Sequence, residues 1–153
     1  MAYPFKTILK PMQFDDPELI AFRVAKQLAQ EHNATLCLLH IVPILPAIGE
    51  PHVAATAHAR EEERAKAQLQ ELADQHLKGV NYQILTRVAG PSDTAEAVLE
   101  AARETNADLI VMKTHGRRGI SRLFMGSVTE RVVREAPCAV MTLTTAAKQR
   151  FTD

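Results

Sequence analysis

Tryptophan is absent from this 153-residue chain and aromatic residues make up only 5% of it, so the core must be built from aliphatic side chains. Two cysteines, Cys37 and Cys138, are too few for a disulfide framework and form no close metal-ligand pair. Both fall in apolar runs, where buried structural thiols are expected, and a cytoplasmic setting fits such usage. No run approaches the roughly 20 apolar residues of a membrane span. Residues 1–10 lack the apolar core and cleavage site of a signal peptide. Net charge is missing too: 18 Lys and Arg balance 18 Asp and Glu, which argues against a dedicated nucleic-acid binder. Two familiar nucleotide fingerprints are also absent. The first apolar run leads into Pro11-Met-Gln-Phe14, with no glycine to admit a pyrophosphate, so NAD binding of the G-x-G-x-x-G type is not expected. Gly116-Arg-Arg-Gly119 lacks the Gly-Lys-Ser/Thr ending of a Walker A loop.

What is present is an alternation of short apolar runs with longer helical stretches. Thr7–Pro11 forms a short first strand. Asp15 or Asp16 as N-cap, Pro17 in the first turn and Glu18 then open a helix. Its apolar positions Leu19, Ile20, Val24 and Leu28 recur at helical spacing until His32-Asn33. Residues 35–42 are almost continuously apolar, as a parallel strand covered on both faces should be. An irregular connection, residues 43–51, precedes a charged, alanine-rich helix over residues 53–77 that Lys78-Gly79 stops. Its Glu61-Glu-Glu63 run reads as a solvated face. Residues 81–87 form an outer strand. Gly90-Pro91-Ser92-Asp93 opens a helix with Ala95, Val98, Leu99 and Ala102 as its apolar face and Asp93 with Glu96 as a capping pair. Two more strands, residues 108–112 and 138–143, flank a helix over residues 128–136 that Pro137 ends. Such alternation predicts a single domain of βαβ units: an open parallel sheet with helices on both faces, Rossmann-like, with ligands bound beyond the carboxyl ends of the strands.

The connection between the last two strands carries the chemistry. The run Asp108-Leu-Ile-Val-Met112 stops at Lys113-Thr-His-Gly116, and nine residues later Gly126-Ser127 opens a helix. A strand, a glycine loop and a helix N-terminus together hold phosphate well, because free N–H groups and about half a positive charge converge there. Six basic residues (Lys113, Arg117, Arg118, Arg122, Arg131, Arg134) against one acid, Glu130, make either a positive rim or a solvated helix face. Ser127 and Glu130 also match a capping box, which needs no ligand. Among the histidines, His32 and His76 sit near helix C-termini, where positive charge is favoured. His52 and His58, six apart, fit no helical metal pair. His40 is expected to be a satisfied core or pocket residue. His115 either touches phosphate or orients its loop. No serine or cysteine nucleophile has a convincing partner.

The string Asp-Leu-Ile-Val-Met-Lys-Thr-His-Gly, nine residues, Gly-Ser-Val-Thr-Glu-Arg-Val-Val-Arg, then Ala-Pro-Cys-Ala-Val-Met, resembles the universal stress protein A family, most of all its ATP-binding branch. The resemblance implies a five-stranded parallel sheet of order 3-2-1-4-5, like that of the adenine nucleotide α-hydrolases. It also implies a homodimer joined through the last strand, Ala139–Leu143, and a regulatory protein binding ATP with Mg²⁺, with at most slow hydrolysis. Carried over, Gly116 and the backbone from Arg117 onward border the phosphates, beside Lys113 and His115. Gly126, Ser127 and Val128 supply N–H groups and a hydroxyl, with Thr129 in the same turn. Ile41 meets adenine through its backbone, Pro11 and Met112 line the base and ribose pocket, and Gln13 reads an adenine or ribose edge. The chain departs from the family at Lys113, where the signature has its first glycine, and at Gln13, where the family has an acid. Those departures keep open a nucleotide-independent dimeric scaffold or stress-protective binding protein with an unidentified protein partner. An ATP-activating enzyme and a preference for cyclic AMP over ATP also stay open.

Overall fold

Leu36, Cys37, Leu38 and Leu39 are all fully buried. The computed structural model, which describes residues 4–14, 19–44, 50–114 and 126–144, shows why: their strand lies inside a sheet with helices on both faces. In chain order the elements are β1 (Thr7–Pro11), α1 (Ile20–His32), β2 (Thr35–Pro43), α2 (Pro51–His76), β3 (Tyr82–Ala89), α3 (Thr94–Glu104), β4 (Leu109–Lys113), α4 (Ser127–Glu135) and β5 (Ala139–Leu143). The five strands order as β3-β2-β1-β4-β5, and every neighbouring pair is parallel. Strand order reverses between β1 and β4, the switch point where such sheets open a crevice at their carboxyl edge.

Side-chain alternation divides the core in two. Ile8, Leu36, Leu38, Leu109 and Val111 pack against α1 and α2 through Phe22, Ala25, Ala29, Leu69 and Ala73. Leu9, Cys37, Leu39, Ile110 and Met112 face the other way, against Ala95, Val98, Leu99, Ala102 and Val132 of α3 and α4. Small residues, chiefly alanine, dominate the helix faces, with Phe22 the one buried aromatic among the described residues. The 26-residue α2 buries only Ala65, Leu69 and Ala73. Gly79, at φ +82°, takes the left-handed conformation of the turn that follows α2.

Helix starts and caps agree with the expected ones only in part. Helix α1 begins at Ile20, not at the aspartates, and its cap is Leu19 in the left-handed region at φ 48°. That geometry costs a branched residue roughly 1–2 kcal/mol, and the side chain packs partly against the first core. Asp15, Asp16, Pro17 and Glu18 lie outside the described residues. Asp93 occupies the N-cap of α3 without a side-chain capping bond. Glu96 serves instead as an ion-pair hub for Arg103 and Arg131, both at 2.7 Å, tying α3 to α4. The Arg103 hydrogen bond is the main cause that holds its carboxyl below the usual range. The acidic run in α2 is not wholly solvated either, because Glu62 Oε2 accepts the buried Thr86 hydroxyl at 2.9 Å. At the end of α1, His32 stands in the last turn, as expected, and its Nδ1 accepts the Phe5 amide at 3.2 Å, tying the helix end to the segment before β1.

The amino edge of the sheet is clamped by Asp108. Its Oδ2 accepts the Lys6 and Thr7 amides at 2.8 and 3.0 Å, while its own N–H donates to the Thr7 carbonyl at 2.8 Å. Asp108→Ala is expected to cost about 1–3 kcal/mol through these charge-assisted bonds. A urea titration checks it: the midpoint should fall with an unchanged slope.

Candidate functional site

At the carboxyl edge, beside the switch point, lies a cavity of about 270 Å³. Pro11 and Gln13 form one wall, at and just beyond the end of β1. Leu39, His40, Ile41 and Pro43 come from β2, Met112 from β4, and Val128 from the first turn of α4. The residues expected to border a base and ribose, namely Pro11, Gln13, Ile41 and Met112, are therefore gathered in one place, with Val128 beside them. Leu39, Ile41, Met112, Val98 and Val128 belong to or pack on the α3/α4 core, so the cavity opens out of that half of the protein.

The opposite wall was not legible in the sequence. Ala89 ends β3, Pro91 follows it, and Thr94 and Val98 stand on the first turns of α3. Only the Gly90-Pro91 break just after a strand hinted that this connection reaches the same edge. Thr94 bends its hydroxyl back to the Gly90 carbonyl at 3.3 Å, which closes the turn. Met12, likewise unanticipated, also lines the cavity.

The expected phosphate side divides into several roles. His115, Gly116 and Arg117, with Arg118 and Arg122, lie outside the described residues. On either side of that stretch the chain is drawn together: Gly126 N–H donates to the Thr114 carbonyl at 3.3 Å, and Thr114 N–H to the Leu143 carbonyl at 3.0 Å. Lys113, the last residue of β4, is half-buried. Gly126, rather than Ser127, is the N-cap of α4, so the Ser127–Glu130 capping box does not form. With Ser127 already helical, its hydroxyl is not at the N-cap position that accepts an amide two or three residues on, and the residue is exposed. Thr129 is 5% exposed and gives its hydroxyl to the Lys113 carbonyl at 3.1 Å, securing α4 to the end of β4. The amides of Ser127, Val128 and Thr129 belong to a first helical turn, which has no acceptors of its own.

Two basic residues stand at the cavity, His40 in its lining and Lys10 next to Pro11. Lys10, buried at the end of β1, donates from Nζ to the Pro11 carbonyl. His40 Nδ1 lies 3.2 Å from the Met12 carbonyl, and the ring stacks on Phe14 with centroids 4.5 Å apart. Burial pushes the His40 imidazole below its ordinary value, although the Met12 carbonyl and Glu61 act in the opposite sense. The cysteines take no part. The Cys37 thiol is pushed up to about 11 by burial and donates to Gln83 Oε1 at 3.7 Å. Cys138 is only half-buried, unlike the full burial expected, and desolvation and then Asp108 raise its thiol as well.

The lining described here contains no carboxylate, and among the described residues no three of His, Cys, Asp and Glu cluster to hold a metal. What the arrangement offers is an apolar slot with a few polar groups, next to a helix N-terminus. That is the chemistry of holding a flat, polar-edged ligand with an anionic tail.

Comparison with known proteins agrees with this architecture. The model of the universal stress protein family matches residues 4–143. A universal stress protein of Thermus aquaticus is 38% identical over 138 residues, covering 90% of this chain and 97% of its own. Among solved structures, the universal stress protein UspA from Lactobacillus plantarum superimposes with a TM-score of 0.75 at 26% identity, covering 93% of this chain and 99% of that one. A family protein from Arabidopsis thaliana with AMP bound has a TM-score of 0.58 at 16% identity, covering 97% of each chain, and is a likeness of fold alone. With the family model spanning all five strands, the chain belongs to the universal stress protein family.

Proposed function

We propose that this protein is a cytoplasmic regulator that binds an adenine nucleotide, ATP in its full form, at the carboxyl-edge cavity. The observation that carries the reading is the convergence of Pro11, Gln13, Ile41, Met112 and Val128 on one slot. At about 270 Å³ the slot is of a size for base and sugar, near the lower end of small-ligand pockets, roughly 300 Å³. The phosphates then extend toward Lys113, His115, Gly116, Arg117 and the first turn of α4, where Ser127, Val128 and Thr129 present backbone amides. Mg²⁺ would travel with the phosphates. The AMP bound by the relative from Arabidopsis thaliana supports the choice of ligand class.

Hydrolysis, where it occurs, is slow: the described lining offers no carboxylate to orient an attacking water. Occupancy acts by setting the surrounding loops, and those loops set contacts with a protein partner. Homodimerisation is proposed through β5, an edge strand with none of its residues buried and thus a ready template for pairing. Lys113 and the exposed Gln13 favour a second reading, a nucleotide-independent dimeric scaffold.

One experiment separates the two. The purified protein is denatured, the supernatant is chromatographed at 260 nm, and stripped protein is titrated calorimetrically with ATP and Mg²⁺, AMP and cyclic AMP. Co-purified adenine nucleotide or saturable heat is expected, together with a melting temperature that rises with ligand. A stable dimer with no bound nucleotide, no heat and no thermal shift overturns the nucleotide reading in favour of the scaffold.

A further inference from the structure

The Met12 backbone is gripped twice from β2. Its N–H donates to the Leu39 carbonyl at 2.7 Å, and its carbonyl lies 3.2 Å from His40 Nδ1. A carbonyl can only accept, so Nδ1 carries the proton in this contact. Two residues on, Phe14 lies against the same imidazole, the rings tilted by 44°. One side chain thus holds the residues immediately before and after Gln13. Along β2, Cys37 and Leu39 belong to the α3/α4 core and Ile41 packs on it. Alternation therefore sends the His40 side chain out on the α1/α2 face. His40 is itself part of the cavity lining, and its ring grips the wall formed by Met12 and Phe14.

We propose that His40 is the positioning residue for Gln13: by clamping Met12 and Phe14 it fixes the Gln13 amide at the cavity wall, where that amide reads the polar edge of a purine or ribose. The ligand half of this proposal rests on the adenine-nucleotide reading above; the anchor half does not. Gln13 is exposed at the wall of the cavity, and a long amide side chain there gains directional selectivity only if its backbone is held still.

Two substitutions divide the work of the ring. His40→Asn keeps an N–H donor near the place of Nδ1 and gives up the stack on Phe14. His40→Phe keeps a stacking ring and loses the donor. In the ligand-free protein, amide exchange of residues 12–14 is expected to quicken about ten-fold in His40→Phe, the worth of one hydrogen bond, and to fall back toward wild type in His40→Asn. Equal exchange in wild type and His40→Phe overturns the anchor. Positioning is read by a double-mutant cycle with AMP as the probe. His40→Phe should weaken AMP about ten-fold in the wild-type background and change it little once Gln13→Ala is present. Additive losses show that His40 does not act through Gln13 and overturn the positioning role. A wild-type protein that takes up no AMP overturns the ligand half together with the nucleotide reading, while the exchange rates still decide the anchor.

Discussion

Gly126→Val abolishes ATP binding and leaves the fold in place: that is the expected result of the substitution with the largest functional effect. Gly126 sits at φ −55°, a conformation open to any residue. A Cβ there would meet the Thr114 carbonyl oxygen at 3.6 Å, an ordinary van der Waals contact. Glycine is therefore not demanded by the backbone, and the valine is tolerated at the cost of a poorer N-cap, about 1 kcal/mol. What the branch changes is the approach to the first turn of α4, where the amides proposed to meet phosphate emerge. Calorimetric titration with ATP, paired with a thermal melt, reads both sides of the expectation. Retained affinity in a folded variant would move the phosphate site elsewhere.

Leu9→Ala carries the largest expected effect on stability. Leu9 lies in the central strand β1 with no exposed surface, packed in the α3/α4 core between Cys37 of β2 and Ile110 of β4. Removing its isobutyl end leaves a cavity that close-packed neighbours fill only in part, for a loss of about 3–5 kcal/mol. That is a large fraction of the roughly 5–15 kcal/mol by which domains are stable. Urea unfolding with the exposed Val133→Ala as reference should show a steep fall in midpoint for Leu9→Ala and almost none for Val133→Ala. Comparable midpoints would mean that the α3/α4 core can collapse around the gap.

Strand identity and order were legible because burial leaves a direct mark on composition. The apolar stretch that became β2 could be covered on both faces only inside a parallel sheet, and β2 does pair in parallel with β1 and β3. The order β3-β2-β1-β4-β5 followed from the resemblance, and the four cavity residues Pro11, Gln13, Ile41 and Met112 came with it. Helix caps were harder, since Ser127 and Asp93 carry side chains suited to capping whether or not the bond forms, although Asp93 does stand at the start of α3. At α4 the chain places glycine in the half-helical position instead, and at α1 it places Leu19 there. The β3–α3 wall of the cavity was illegible for another reason. Ala89, Pro91, Thr94 and Val98 carry no functional chemistry of their own and matter only through where the topology puts them. His40 was legible as a core or pocket residue, but not its contact with Met12, which spans 28 positions in sequence.

The long helix α2 is held to the sheet by Ala65, Leu69 and Ala73 and by the Glu62–Thr86 bond, all in its later part. Residues 51–61 span some 16 Å ahead of those contacts at 1.5 Å per residue, with Ala54, Ala57 and His58 partly buried and the others exposed. Over that length a tilt of about 5° about the buried segment would carry the Pro51 end through roughly 1.5 Å. Changes too slight to register in the core would therefore be amplified at the tip, which stands on the same edge as the cavity.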